Sequence, residues 1–314
     1  MKKMPDVLGI DTSNYTTSAA LLKDGRIFQS KKLLPIAKGE KGIRQSDAVF
    51  HHVQQLPEVL GALPFSGARV SAVGVSSRPR SLEGSYMPCF LAGVAAAKTA
   101  ALSCGVPIAC FSHQQGHIAA ALYSAHRLNL LQDRFLAFHV SGGTTEAVLC
   151  KPDQDEIFST KIVAKSLDLK AGQAIDRVGV MLGLQFPAGS ELEELALRSK
   201  KSFKIHPVLR GCDCSLSGVE NQCRSMMQAG EQPENIAAYC LDSILAGLDG
   251  MVSALRGQYG GLPLLFAGGV TSNSAFRNIL SEKYGAVFAE PQFSTDNAAG
   301  VAVLAALKGG ITPL

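Results

Sequence analysis

Residues 7–26, VLGIDTSNYTTSAALLKDGR, contain the pattern that decides the fold. An apolar run ends in Asp11 and a small polar turn, a second apolar run follows, and Asp24-Gly25 marks a hairpin between two strands. The same order recurs at residues 135–155, FLAFHVSGGTTEAVLCKPDQD, where a buried-strand run enters the turn Ser141-Gly142-Gly143-Thr144. Two copies of one strand-rich opening, one in each half, predict a duplicated α/β architecture with a cleft between the halves.

The rest of the chain alternates helical and strand patterns. Helices are predicted at about residues 46–60, 89–104, 172–183, 190–199 and 233–256, and strands at 70–75 and 264–267. A chain of 314 residues is long enough for two domains of ordinary size. We place the boundary near residues 131–134, which gives an N-terminal domain at 1–132 and a C-terminal domain at 133–314.

Composition excludes several classes of protein. Hydrophobic residues make up 46% and charged residues 18%, so large cores are expected and disorder should be minor. The net charge of +4 permits a nucleic-acid partner without requiring one, and the absence of tryptophan argues against base stacking as the main activity. Eight scattered cysteines form no CxxC pair, which favours reduced thiols. The first residues resemble neither a signal peptide nor a membrane span, so we expect a cytoplasmic protein without a membrane partner.

A histidine pair and a distant aspartate are the candidate metal ligands. His113 and His117 have the spacing that puts two side chains on one face of a helix, and Asp296 follows far downstream. Two imidazoles and one carboxylate make a site with open coordination positions. The alternative is that each histidine is structural. A zinc peptidase would need HExxH, and Gln114 stands where its glutamate acts as general base.

Two glycine turns after strands are candidate anion sites. Gly142-Gly143, with the Ser141 and Thr144 hydroxyls, would bring backbone N–H groups close to a phosphate. Residues 268–273, GGVTSN, follow a second strand and end in Asn273, a helix-capping residue. Taken singly, the first is also an ordinary tight turn and the second an ordinary capped helix. The chain has no GxxxxGK[ST] motif, so it is not a P-loop protein.

Two further segments carry charged or flexible residues. Asp176 begins a predicted helix and either accepts hydrogen bonds from a ligand or pairs with a nearby cation, and Gly189 would let a ligand approach a loop. A basic cluster contains Lys200, Lys201, Lys204 and His206. The cluster either meets nucleic-acid phosphates or is a solvated helix end.

Together these motifs resemble the tRNA N6-adenosine threonylcarbamoyltransferase family, whose members share an actin/Hsp70/sugar-kinase-like (ASKHA) fold with two duplicated domains and a central nucleotide cleft. The resemblance runs from Leu8 to the Asp296 segment, nearly the full chain. Its most specific pieces, in order, are HxxxH at 113–117, VSGG at 140–143, AGQAID at 171–176, SLSG at 215–218, AGGVTSN at 267–273 and TDN at 295–297.

The resemblance implies a reaction and a set of site residues. A threonylcarbamoyl-AMP made by a partner enzyme would donate its threonylcarbamoyl group to N6 of adenosine 37 in tRNAs that read ANN codons. One divalent ion per subunit, Fe²⁺ or Zn²⁺, would be held by His113, His117 and Asp296. The residues that would bind the adenylate, or ATP, are Val140, Ser141, Gly142, Gly143, Thr144, Asp176, Gly189 and Asn273. We assign catalytic roles to Asp11, Ser141 and Thr144, and the family further implies tRNA, TsaB-like and TsaE-like partners.

The chain departs from the family pattern beside the expected reaction centre. Tyr15 lies where the family has an acid, Thr144 replaces a histidine, Gln173 replaces a glutamate, and residues 78–80, RPR, replace a Gly-Pro-Gly turn. Three interpretations therefore stand side by side. The chain is a metal-assisted tRNA carbamoyl transferase, a divergent paralogue with another acceptor or a non-catalytic role, or an ATP-dependent kinase of the same superfold.

Overall fold

The computed structural model describes residues 5–35, 43–293 and 298–313, and the chain divides into two compact units. The first unit contains residues 1–132, 152–160 and 292–314, and the second contains 133–151 and 161–291. The predicted division into domains 1–132 and 133–314 followed chain order alone and stays a prediction. Contacts instead group residues 152–160 and 292–314 with the N-terminal part of the chain.

The bounds of the regular elements follow chain order. The strands are β1 (Asp6–Thr12), β2 (Thr16–Lys23), β3 (Arg26–Leu33), β4 (Val70–Arg78), β5 (Ile108–Ser112), β6 (Phe135–Val140), β7 (Thr145–Asp153), β8 (Ile157–Lys165), β9 (Val208–Arg210), β10 (Asp213–Ser215), β11 (Leu264–Ala267) and β12 (Val287–Phe288). The helices are α1 (Gln45–Gly61), α2 (Phe90–Cys104), α3 (His113–Ser124), α4 (Ala171–Met181), α5 (Gly189–Ala196), α6 (Ser217–Gln228), α7 (Pro233–Tyr259), α8 (Ser274–Tyr284) and α9 (Ala298–Lys308).

The first unit is built on a five-stranded sheet in the order β3-β2-β1-β4-β5. Strands β1, β2 and β3 are antiparallel neighbours, and β4 and β5 continue the sheet in parallel with β1. Asp24 and Gly25 both have positive φ, which confirms the predicted hairpin between β2 and β3. The apolar helix α9 lies directly on this sheet. A Cβ atom at Gly9 would lie 2.1 Å from the Ala298 carbonyl oxygen, so glycine is required for this close approach.

The second unit repeats this topology. Its five-stranded sheet has the order β12-β11-β6-β7-β8, in which β6 pairs antiparallel with β7 and parallel with β11. The order of the three opening strands and the two later ones is therefore the same in both sheets, which confirms the predicted duplication. Phe138, Phe266 and Phe288 stack on neighbouring strands with ring centroids 4.5 and 5.2 Å apart.

Helix α7 forms the centre of the core in the second unit. It has 27 residues and is apolar enough to pass a length-and-composition test for a membrane span. However, its apolar residues Ile236, Ile244, Leu248 and Met251 are buried among the side chains of this unit. The pattern is that of a helix surrounded by protein, because a helix that is apolar on most sides needs partners on most sides.

Candidate functional site

The histidine pair lies on the first turns of α3. Ser112 accepts a hydrogen bond from the Gln115 N–H group at 3.2 Å, and the Gln115 side-chain oxygen accepts one from the Ser112 N–H group at 2.8 Å. This reciprocal capping box makes the helix begin at His113. His113 and His117 consequently face the same side, with ring centroids 4.7 Å apart and ring planes at 73°.

Asp11, at the end of β1, fixes the orientation of His113. Its carboxylate is almost fully buried, and Oδ2 lies 2.9 Å from His113 Nδ1. Burial raises the pKa of Asp11, but the attraction of His113 and hydrogen bonds from His113 and the Ser13 N–H group outweigh it, so the pKa lies below its usual range. An ionised carboxylate can only accept, so His113 must donate from Nδ1. In a neutral imidazole this leaves the lone pair on Nε2, the arrangement typical of a metal-ligating histidine with a carboxylate behind it.

The third expected ligand cannot be placed, because Asp296 lies outside the described residues. Within residues 5–35, 43–293 and 298–313, no group of three His, Cys, Asp or Glu side chains is arranged to hold a metal ion. The metal role of the histidine pair therefore stays a prediction. The structure shows only that two of the three expected ligands lie side by side.

Residues between the two histidines are held by the segment 152–160. Gln115 is fully buried, and its amide nitrogen donates to the Phe158 carbonyl oxygen at 2.8 Å and to the Glu156 carboxylate at 3.2 Å. Glu156 also pairs with Arg78, one of the residues that replace the family's Gly-Pro-Gly turn. Sequence reasoning missed this network, because Gln115 and Glu156 are 41 residues apart and nothing in their local patterns links them.

The second unit contains a cavity of about 360 Å³ between the turn after β6, helices α4 and α5, and the segment after β11. Four predicted ligand-binding residues line it: Gly142, Asp176, Gly189 and Asn273. The other lining residues are Gly172, Ile175, Pro187, Ser190, Glu193, Leu241, Gly269, Val270 and Ser272. Val140, Ser141, Gly143 and Thr144 are not among the described residues that line the cavity, although they belong to the same strand and turn.

The turn at residues 141–144 is braced against the start of α4. The Ser141 N–H group donates to the Thr144 carbonyl oxygen at 2.7 Å, and the Gly172 N–H group donates to the Ser141 carbonyl oxygen at 3.2 Å. A Cβ atom at Gly172 would lie 2.6 Å from the Gly142 nitrogen, so only glycine allows this contact. The backbone N–H groups of a turn and the N-terminus of a helix thus adjoin each other, an arrangement that favours an anion.

Acidic and amide side chains surround the rest of the cavity. Asp176 accepts a hydrogen bond from the Ala188 N–H group at 2.9 Å, which holds the loop before Gly189. Asn273 caps α8 by accepting from the Phe276 N–H group at 3.0 Å. Glu193 accepts from the Ser274 N–H group at 2.7 Å. Sequence reasoning missed Glu193, although its position four residues after Gly189 in a helix puts both residues on one face.

Predicted residues thus fall into two groups. Asp11, His113 and His117 lie together in the first unit, and the residues of the strand, turns and loops around the cavity lie in the second. Asp11 contacts His113 rather than the glycine turn, so its predicted catalytic role is not tested by the contacts. Gln173, which replaces a family glutamate, accepts a 3.4 Å hydrogen bond from the Lys170 N–H group at the start of α4.

Comparison with known sequences gives a consistent match. Residues 31–303 match the profile of the family described as tRNA N6-adenosine threonylcarbamoyltransferase. The enzyme of that name from Riemerella anatipestifer is 28% identical, over 98% of this chain and 93% of the relative. The one from Listeria innocua is 30% identical, over 90% of this chain and 83% of the relative.

Comparison with solved structures addresses the fold alone, because the sequence identities are low. HypF from T. kodakarensis matches with a TM-score of 0.60 and 12% identity over 99% of this chain, which spans about half (49%) of the HypF chain. Component A of the (R)-2-hydroxyglutaryl-CoA dehydratase from Acidaminococcus fermentans matches with a TM-score of 0.54 and 16% identity, over 98% of this chain and 99% of that one. These matches confirm the predicted actin/Hsp70/sugar-kinase-like architecture.

Proposed function

The chain belongs to the tRNA N6-adenosine threonylcarbamoyltransferase family and is a transferase of tRNA modification; from that premise, we propose which of its residues bind the donor and which hold a metal ion. The reaction makes N6-threonylcarbamoyladenosine at position 37 of tRNA. The observation that carries the proposal is the cavity of the second unit, because four residues predicted from separate motifs meet there.

The cavity is the proposed site of the nucleotide half of threonylcarbamoyl-AMP, or of ATP. Its volume of about 360 Å³ lies within the range of small-molecule sites. The Gly142 turn supplies backbone N–H groups for a phosphate, and it lies beside the N-terminal end of α4, whose dipole favours negative charge. Asp176 and Glu193 supply carboxylate oxygens, the acceptors that suit the hydroxyl groups of a ribose.

The first unit carries the proposed metal site, Fe²⁺ or Zn²⁺ at His113, His117 and Asp296. The histidine pair fits such an ion because the Asp11 carboxylate, 2.9 Å from His113 Nδ1, selects the tautomer with Nε2 as donor. The position of α9 supports the third ligand. A Cβ atom at Gly300 would lie 1.8 Å from the Gly116 carbonyl oxygen, so α9 begins in contact with the residue before His117. Asp296 is four residues before Gly300 in the sequence.

A divalent ion held by these residues would supply Lewis-acid chemistry of the kind that suits a carbamoyl–phosphate mixed anhydride. The transfer exchanges one bond of the carbamoyl carbon for another. N6 of the acceptor adenosine forms a bond to the carbamoyl carbon, the bond from that carbon to the phosphate oxygen breaks, AMP leaves and the N6 proton is lost. The N–H groups of Gly142 and Gly143 and the hydroxyls of Ser141 and Thr144 stabilise the charge that develops on the leaving phosphate.

The family supplies the remaining parts of the proposal. We place the protein in the cytoplasm with tRNA as its acceptor, and with TsaB-like and TsaE-like proteins as partners. The family resemblance implies that a separate enzyme of carbamoyl-adenylate synthesis supplies the donor.

The test compares His113→Ala with His51→Ala, a matched histidine in α1 that belongs to no proposed site. Co²⁺ titration followed by absorbance, and AMP release from threonylcarbamoyl-AMP, are measured on both full-length proteins. We expect His113→Ala to lose Co²⁺ binding and AMP release while His51→Ala keeps both. Equal Co²⁺ binding by the two variants would contradict the metal site.

A further inference from the structure

We propose that residues 197–210, named the basic ribbon below, bind the phosphate backbone of the acceptor RNA. The proposal rests on the function given above, because it assigns a surface to the tRNA partner. The ribbon contains the basic cluster found in the sequence and extends it in both directions. Its basic residues are Arg198, Lys200, Lys201, Lys204, His206 and Arg210.

The charge of the ribbon is concentrated to an unusual degree. No acidic residue occurs between Glu194 and Asp213, whereas the whole chain has 26 acidic against 30 basic residues. Five lysines and arginines within 14 residues therefore give a local charge far above the chain average. A contiguous basic stretch of this kind is the electrostatic footprint of a nucleic-acid site.

Three of these charges form no internal ion pair within the described residues. After a helical turn at residues 197–199, the ribbon is a mostly exposed segment without regular structure that ends in β9. Lys201 pairs with Glu231. Among the described residues, Arg198, Lys200 and Lys204 have no ion-pair partner, and their side chains are exposed. A cation without an internal partner breaks no ion pair when it binds a phosphate, so binding costs little free energy.

The ribbon is nevertheless held in place by apolar anchors. The Phe203 ring packs edge-on against Tyr239 of α7, with centroids 5.4 Å apart at 90°. At the other end, a Cβ atom at Gly250 of α7 would lie 2.9 Å from the Leu209 side chain, so β9 rests directly on this helix. An ordered ribbon binds with a smaller entropic penalty than a segment that must fold on its partner.

The position of the ribbon suits an acceptor strand near the nucleotide cavity. Helix α5 lines that cavity with Gly189 and Glu193 and ends at Ala196, and the ribbon begins at the next residue. Four residues, roughly 6 Å of helical rise, separate Glu193 from the start of the ribbon. An RNA whose reacting base approaches this cavity would pass close to the start of the ribbon.

RNA fits these observations better than an anionic membrane. Surface binding to membranes by basic segments typically uses an amphipathic helix, with an apolar face opposite a basic one. Beyond its first turn the ribbon is not helical, and its aromatic residue Phe203 packs against Tyr239. Its basic residues are therefore not gathered on one face of a helix, as that mode of membrane binding uses.

The experiment uses the full-length protein and the triple variant Arg198→Gln/Lys200→Gln/Lys204→Gln. The matched control, Lys98→Gln/Arg127→Gln/Lys151→Gln, removes the same charge at exposed sites outside the ribbon. The affinity for an ANN-decoding tRNA transcript is measured by fluorescence anisotropy between 50 and 200 mM salt. At about 0.7 counterions per phosphate contact, the ribbon variant should lower the slope of log K against log salt by about 2 units.

Further readouts separate the ribbon from the transfer reaction. We expect weaker tRNA binding only in the ribbon variant, with unchanged ATP binding and Tm in both triple variants. Equal tRNA affinity and salt slope in the two variants would overturn the proposal. The proposal would also be overturned if the ribbon variant lost binding to phosphatidylserine vesicles but kept its affinity for tRNA. If tRNA binding depends on the ribbon but no modified nucleoside forms, the proposal that the ribbon binds RNA is supported and the proposed transfer reaction is contradicted.

Discussion

Replacing Gly172 with alanine tests whether the turn at residues 141–144 is set by its contact with α4. A Cβ atom at this position would lie 2.6 Å from the Gly142 nitrogen and 2.7 Å from its Cα, where ordinary contact begins at 3.4 Å. Both neighbouring atoms are backbone, so no side chain can turn away. The turn or the helix must therefore shift by about 0.8 Å.

The size of that shift sets the expected effects. Forcing an extra methyl into a packed site lowers stability by about 1–3 kcal/mol. A displacement near 1 Å in a positioning element can slow a reaction by about 100-fold, which corresponds to about 2.7 kcal/mol in the transition state. We therefore expect Gly172→Ala to lower Tm, to weaken ATP binding in calorimetry and to reduce kcat/KM for AMP release by about two orders of magnitude.

The matched control is Gly257→Ala in α7, where nothing lies within 4 Å of the added Cβ atom. Alanine is the better helix former by roughly 0.5–1 kcal/mol, so this variant should be as stable as the original or more so, with unchanged activity. If circular dichroism shows folded Gly172→Ala protein that binds ATP as well as Gly257→Ala does, then the braced turn is not part of the nucleotide site.

Three further variants address single contacts. Asp11→Asn removes the charge behind the oriented histidine and should weaken Co²⁺ binding about 10- to 100-fold in a titration; unchanged affinity would mean that Asp11 does not position that ligand. Glu193→Ala should weaken ATP binding about tenfold or more, as for a hydrogen bond to a charged group, whereas the exposed neighbour changed in Glu194→Ala should have no effect. Asp168→Asn tests a pH dependence: burial opposes ionisation, but hydrogen bonds from residues 215–217 hold the pKa of Asp168 well below its usual 3.8. A pKa that is lower in the folded state than in the unfolded state stabilises the protein at pH values above the unfolded-state pKa. The original protein should therefore exceed the variant in unfolding free energy by the full amount above about pH 5. This difference should shrink as the pH falls below 3.8. A gap that widens in acid would refute this assignment.

Local patterns predicted the fold well where the controlling interactions are local. Asp24-Gly25 forms the predicted hairpin, the strand at 264–267 has the predicted bounds, and the helix predicted at 46–60 spans Gln45–Gly61. Each depends on turn chemistry or periodicity within a few residues. The helix predicted at 190–199 instead ends at Ala196 with a turn at 197–199, and the following residues are irregular and anchored by Phe203 on Tyr239.

Contacts between distant residues could not be predicted in this way. Nothing near Gly9 or Gly300 shows that α9 returns to the sheet of the first unit, because both close approaches involve residues far away in the chain. The contact between Gln115 and Glu156 is of the same kind. Motifs identified through the family resemblance do bring four residues to one cavity, because that resemblance carries three-dimensional information that periodicity lacks.

The measurement that tests the central claim most directly is mass spectrometry of the nucleosides of an unmodified ANN-decoding tRNA. The tRNA is incubated with this protein, threonylcarbamoyl-AMP and Fe²⁺ or Zn²⁺, with and without TsaB-like and TsaE-like proteins, and Gly172→Ala serves as the impaired control. The account predicts N6-threonylcarbamoyladenosine at position 37 with the original protein and far less of it with the variant. Its absence under all conditions, from protein that binds both the adenylate and the metal, would contradict the transferase assignment and indicate another acceptor.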